Sequence, residues 1–130
     1  MKHNIIIEKR KIIVVAQIKG VNDFGSIKLI LDTGASKTII DEDVVRRLGF
    51  DLYRLRPGDR LMTAGGGVSS KILKLPQFSL FDKKLTNFEV NVFKIAPQIT
   101  YYVDGLVGMD FLLKFNNIRF DFEAKTVETT

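Results

Sequence analysis

An apolar stretch, Leu29-Ile30-Leu31, runs directly into Asp32-Thr33-Gly34-Ala35-Ser36. That order puts a carboxylate at the end of a strand, follows it with a glycine that permits a sharp turn, and keeps the next residue small. The Thr33 hydroxyl can hydrogen-bond a neighbouring backbone group and hold the loop still, as a reactive carboxylate requires. Asp, Thr and Gly are equally the material of an ordinary turn, so the triplet alone leaves both readings open. Composition narrows the chemistry. The chain of 130 residues has no Cys and a single His, His3, close to an end where chains usually fray. A Ser-His-Asp or Cys-His apparatus needs a histidine base, and a Cys/His zinc site needs several such ligands. Any catalysis would rest on carboxylates, hydroxyls, lysines or an oxygen-ligated metal.

The elements around Asp32 read mostly as strands. Ile, Val and Phe dominate the apolar residues, in short runs or in period-two alternation. Ile12 to Ile18, interrupted only by Gln17, suits a strand covered on both faces. After turn residues Gly20, Asn22 and Asp23, a second strand spans about Phe24 to Leu31 and delivers Asp32. Phe88, Val90 and Val92 alternate with polar residues, as do Ile118, Phe120 and Phe122, so both segments read as half-buried strands. Pro76 marks the strand before it as an edge or as ending there. One helix is expected from an Asp41 N-cap, through Glu42 and Asp43 at its positive end and Arg46 and Arg47 at its negative end, to a Gly49 stop. A shorter one is expected with Asp110 as N-cap. The length fits one domain, residues 1–130, able to bury roughly two thirds of its unfolded surface.

Seventy-two residues after Asp32, Asp104-Gly105-Leu106-Val107-Gly108-Met109-Asp110 repeats the plan of a glycine turn, two apolar residues, a glycine and a helix. With Asp32-Thr33-Gly34-Ala35-Ser36, a glycine-rich Thr63-Ala64-Gly65-Gly66-Gly67 and Leu106-Val107-Gly108, the chain resembles the retropepsin-like aspartic proteases over roughly Ile12 to Val127. These are single-domain relatives of pepsin that include retroviral enzymes and stand-alone prokaryotic members. Where many retroviral members have Arg-Asn or Arg-Asp after the second glycine, this chain has Met109-Asp110, closer to the stand-alone branch.

The resemblance implies an all-β fold, a retropepsin-like acid-protease β-barrel with one or two short helices and residues 1–11 as an N-terminal extension. It implies Asp32 as the catalytic acid, Thr33 and Gly34 supporting its loop, and Leu106, Val107 and Gly108 as a strand crossing beneath that loop. Gly34, Ala35, Ala64, Gly65, Gly66 and Gly67 would contact substrate, the last four in a hairpin flap; a flexible surface loop is the other reading of those glycines. The family uses two carboxylates across one water, and one chain carries one Asp-Thr-Gly, so a C2 homodimer pairing Asp32 with its copy is expected. Like charges about 3 Å apart share a proton, making one acid a base and the other a proton donor. Ala35 cannot donate the hydroxyl hydrogen bond found at that position in pepsin-type enzymes, so a bell-shaped pH profile at mildly acidic values is expected. The substrate would be extended, hydrophobic polypeptide, with no metal or cofactor. Asp104 reads as a turn residue, Met62 and Met109 as packing residues, and Tyr101 and Tyr102 either line a pocket or fill a half-buried strand.

Two further readings compete. The same fold can serve as a peptide-binding or adaptor domain without useful proteolysis. A basic β-barrel can bind nucleic acid, and the net charge is +5, yet the basic residues are scattered apart from Lys9-Arg10-Lys11, so nucleic acid is not an expected partner. No run of 18 apolar residues exists, and Ile5-Ile6-Ile7 is too short for a signal-peptide core. No membrane association and a cytoplasmic location are expected.

Overall fold

The computed structural model describes residues 1–63 and 65–130. Within them the chain runs through β1 (Lys2–Asn4), β2 (Ile6–Glu8), β3 (Lys11–Lys19), β4 (Phe24–Leu31), β5 (Ile39–Asp41), α1 (Glu42–Arg47), β6 (Arg56–Pro57), β7 (Leu61–Thr63) and β8 (Gly66–Val68). It continues through β9 (Lys71–Leu80), β10 (Lys83–Phe93), α2 (Pro97–Thr100), β11 (Gly105–Val107), α3 (Met109–Leu112), β12 (Ile118–Asp121) and β13 (Thr126–Thr129). The main sheet has the order β2-β3-β4-β11-β5-β10-β9-β6, and a further pairing of β9 with β3 closes it into a barrel. Ile13, Ile18, Leu29, Leu75, Phe78 and Val90 fill the interior. Phe111 of α3 meets Phe78 edge-on, with 5.1 Å between ring centres. The all-β barrel with short helices read from the sequence is the architecture found. No helix among the described residues is long and apolar enough to cross a membrane.

α1 forms as its sequence dictates: Asp41 Oδ2 accepts the Asp43 N–H at 3.1 Å, Arg46 and Arg47 occupy the last turn, and Gly49 has φ 90°. Asp41 is also buried, and its Oδ1 accepts the Ile95 N–H at 2.9 Å, which ties the start of the helix to the exit of β10.

Other expectations need correction. β3 is not covered on both faces throughout, because Val15 is 45% exposed while Ile13 and Val14 are buried. Pro76 does not end β9, although the strand is locally an edge there, with no partner on the side away from β10. It sits mid-strand, between residues that pair with β6 (Lys71, Ile72) and residues that pair with β3 (Phe78, Ser79), where a missing N–H costs little. α3 starts at Met109 with Gly108 before it, and Asp110 lies inside its first turn rather than at its N-cap. β12 is half-buried through Ile118 and Phe120, but it ends at Asp121 and leaves Phe122 outside it and exposed. Residues 1–11 contribute β1 and β2. His3 does not fray: β1 pairs with β13, placing His3 opposite Val127, and its ring packs 5.0 Å from that of Phe81.

One crossing positions everything near Asp32. β11 lies between β4 and β5, parallel to the first (Leu106 beside Ile30) and antiparallel to the second (Leu106 beside Ile39). The loop joining β4 to β5 must therefore pass around β11. Glycine makes the fit possible, since a Cβ at Gly105 would stand 2.1 Å from the Ile39 carbonyl oxygen and 3.0 Å from Ile40 Cα. Both obstacles are backbone and cannot swing aside. Gly105→Ala is expected to lower stability by about 3 kcal/mol or more in urea denaturation. Gly65→Ala, whose nearest neighbour would be Thr63 Oγ1 at 3.8 Å, should change it by less than about 0.5 kcal/mol.

Candidate active site

The chain leaves β4 at Leu31 and turns at once. The Asp32 N–H donates to the Val107 carbonyl at 3.0 Å, and the Asp32 carbonyl accepts the Ala35 N–H at 3.2 Å. The Gly34 N–H donates to Asp32 Oδ1 at 2.9 Å, so the carboxylate is oriented by the turn that follows it. Substitution at Gly34 would crowd that contact, with a Cβ only 3.2 Å from Oδ1. Asp32 is half-buried, and its Oδ2 takes part in no hydrogen bond among the described residues. Thr33 is exposed, and its hydroxyl bonds to no described group, contrary to the expectation that it braces its own loop.

That bracing comes from other residues. Gly108 lies directly under the loop, where a Cβ would stand 2.6 Å from the Lys37 carbonyl oxygen and 2.7 Å from that of Ala35. The Met109 N–H donates to the Ala35 carbonyl at 2.7 Å, and the Asp110 N–H donates to that of Ser36 at 3.2 Å. The Asp110 carboxylate takes two hydrogen bonds from Thr38, from its N–H at 3.0 Å and from its hydroxyl at 2.7 Å. The same hydroxyl accepts the Gly108 N–H at 3.2 Å, and the Thr38 carbonyl accepts the Asn91 N–H at 2.9 Å. Thr38 is fully buried, so these charge-assisted bonds are little weakened by water. Leu106, Val107 and Gly108 run beneath the loop, where β11 lies between β4 and β5. Thr38 and Asp110 are the loop-bracing residues that motif reading missed. The available signal was a short polar residue four positions after Gly34 and another two after Gly108.

Asp104 is likewise more than a turn residue. Its Oδ2 accepts the Lys28 N–H at 2.9 Å and its Oδ1 lies 3.4 Å from Arg47, which sets the register of the approach to β11. Asp104 and Asp110 are committed to structure, whereas Asp32 keeps one oxygen without a partner among the described residues. No group of three or more His, Asp or Glu among the described residues could hold a metal ion.

β7 and β8 form a separate hairpin, pairing Leu61 with Val68, Met62 with Gly67 and Thr63 with Gly66. Gly66 has φ 111°, which an L side chain rarely adopts. Thr63 Oγ1 accepts the Gly65 N–H at 3.2 Å and donates to the Gly66 carbonyl at 2.9 Å, while Arg60 donates to the Gly67 carbonyl at 3.1 Å. Ala64 lies outside the described residues. Met62 is 82% exposed on this hairpin and does not pack, whereas Met109 packs against the core. The hairpin root and the Asp32 loop share the walls of one pocket of about 240 Å³, to which Leu61 and Lys37 both contribute. Tyr101 and Tyr102 lie in no strand; they follow α2, with Lys9 Nζ 5.1 and 5.7 Å from their ring centres. The hydrogen bond with Tyr101 holds the Lys9 ammonium above the ordinary lysine range.

A family model described as aspartyl protease matches residues 14–111. No curated protein matches the chain. Among solved structures, a retropepsin-like aspartic protease from Rickettsia conorii superposes with a TM-score of 0.73 at 23% identity, covering 99% of this chain and 89% of that one. EIAV protease complexed with the inhibitor HBY-793 superposes with a TM-score of 0.63 at 19% identity, covering 82% of this chain and 88% of that one. The family match spans most of the chain and includes both Asp32 and the Leu106–Gly108 crossing, and the barrel is that of the two structures: the chain belongs to the aspartyl protease family and has the retropepsin-like fold.

Proposed function

We propose that the protein is an aspartic endopeptidase that works as a homodimer, with Asp32 of each copy facing the other across one water. The observation that carries this reading is the state of Asp32: one oxygen oriented by the Gly34 N–H, the other open, on a loop locked by Thr38 and Asp110. A buried or half-buried carboxylate held this firmly is suited to proton transfer rather than to solvation. One chain supplies one such acid, so the second comes from a second copy by C2 symmetry. The exposed Thr33, next in sequence to Asp32, then lies close to the axis and is available to contact the partner.

In the dimer, two carboxylates at about 3 Å share a single proton. The ionised one takes a proton from the attacking water, and the protonated one gives its proton to the scissile carbonyl oxygen. The tetrahedral diol then collapses as the first acid gives its proton to the leaving nitrogen and the second takes one back from the diol, so no acyl-enzyme forms. An extended peptide binds as an added strand over Gly34 and Ala35, under a flap of Gly65, Gly66 and Gly67 together with Ala64. Hydrophobic stretches of polypeptide are the proposed substrate and the cytoplasm the proposed setting. A single domain, residues 1–130, makes up each half of the enzyme.

The test is hydrolysis of a peptide library across pH. Wild type should cleave with a bell-shaped profile at mildly acidic values, and Asp32→Asn should lose at least about a thousandfold of the rate, the scale of removing an essential acid–base group. Equal cleavage by both proteins would refute the assignment. Activity per chain should also fall on dilution in step with dissociation seen by sedimentation. Full activity in a strictly monomeric sample would exclude the shared dyad.

A further inference from the structure

The pocket between the Asp32 loop and the root of the β7–β8 hairpin has a composition that suits one kind of side chain. Lys37, five residues after Asp32, stands on one wall, with Asp59 and Leu61 of the hairpin root also lining it. Arg56 and Glu89 line it too, and they pair with each other. Lys37 and Asp59 form no ion pair among the described residues. The lining therefore carries two positive and two negative charges, one of each sign unpaired.

The floor is built and rigid. Asn91, 4% exposed, donates through Nδ2 to Ser70 Oγ at 3.0 Å, and Ser70 Oγ donates to the Asp59 carbonyl at 2.7 Å. Gly58 is pressed against this pair, with room for no Cβ: one would stand 2.7 Å from Ser70 Oγ and 3.2 Å from Asn91 Nδ2. Asn91 lines the pocket, and its Oδ1 accepts none of the described hydrogen bonds yet is not sealed from solvent, so the residue keeps an open acceptor. The same Asn91 bonds to the Thr38 carbonyl, which fixes the floor to the end of the Asp32 loop.

We infer that this pocket is a substrate subsite selective for a neutral carboxamide side chain, glutamine or asparagine, on the peptide next to the scissile bond. The inference rests on the peptidase reading above and names the specificity of that same site. A carboxamide places its oxygen on the Lys37 ammonium and its NH2 on Asn91 Oδ1 and the Asp59 carboxylate, and so satisfies donors and acceptors together. A glutamate is opposed by Asp59 and Glu89, and a lysine by Lys37 and Arg56. A leucine would cover these charges and leave the Asn91 oxygen without a partner.

The two unpaired charges give opposite, separable tests. A proteome-derived peptide library prepared with chymotrypsin, which leaves internal Gln, Glu and Lys intact, is digested by wild type, Lys37→Met and Asp59→Asn, each first checked for an unchanged melting temperature. Wild type should favour Gln and Asn at one position flanking the cleaved bond. Lys37→Met should move that position toward Lys and Arg, and Asp59→Asn should move it toward Glu and Asp, each by roughly two- to fivefold, the range of a solvent-exposed charge pair. Binding of Gln, Glu, Lys and Leu versions of one cleaved peptide to Asp32→Asn should follow the same order without turnover. Cleavage by all three proteins with identical preferences at every position, or an apolar preference throughout, overturns the subsite and leaves the peptidase reading intact. No cleavage of any peptide by wild type overturns both.

Discussion

The passage of β11 between β4 and β5 leaves no room for a Cβ at Gly105, and the rest of the site depends on it. Residues with side chains do not fit there, because the obstacles at Gly105 and Gly108 are carbonyl oxygens of Ile39, Ala35 and Lys37. Once the crossing forms, the loop from Asp32 to Thr38 has to wrap the end of β11, and its backbone groups come within hydrogen-bond reach of Val107, Met109 and Asp110. A loop that would otherwise be mobile is thereby held along most of its length by structure distant in sequence. The entropy of ordering it is met in the folding of the barrel and need not be met again on each encounter with substrate.

A second consequence concerns how acids are used. Asp41, Asp104 and Asp110 lie within or beside the same crossing, and each accepts backbone N–H bonds that complete it. Carboxylates are efficient for this task, because two oxygens can satisfy two donors in one place. Asp32 differs from them in holding one donor and leaving one oxygen open. The distinction between an acid committed to structure and one with an open oxygen is here a matter of how many neighbours each oxygen has, and sequence spacing does not state it. The terminal sheet follows the same pattern of long-range closure, with β1 and β13 joining the two ends of the chain.

Much of the fold was legible because local chemistry and tertiary outcome agree. β4, α1 and the strand through Phe88 to Val92 follow directly from period-two alternation, an Asp41 cap and a Gly49 stop. Disagreement arose where a residue's partner is far along the chain. Asp110 looks like a helix cap because it precedes Phe111-Leu112-Leu113, yet Thr38 claims its carboxylate. Pro76 reads as an edge or a strand end, and β9 continues past it along a stretch with no partner on one side. Met62 looks like core and is exposed, since the hairpin that bears it stands apart from the barrel.

By itself the sequence determined which chemistry was available and where it would sit. The absence of cysteine, a single histidine near one end of the chain, and an acid following an apolar strand make Asp32 the candidate for the reactive group. Glycines at 105 and 108 announce a close approach without naming what approaches. Only the tertiary structure decided that the approach is to Ile39, Ala35 and Lys37, that Thr38 and Asp110 lock the loop, and that Lys37, Asp59 and Asn91 meet in one pocket. The physical reason is that hydrogen bonds and steric limits act between atoms within a few ångströms. Residues 32 and 107, or 38 and 110, reach that range only when the barrel closes.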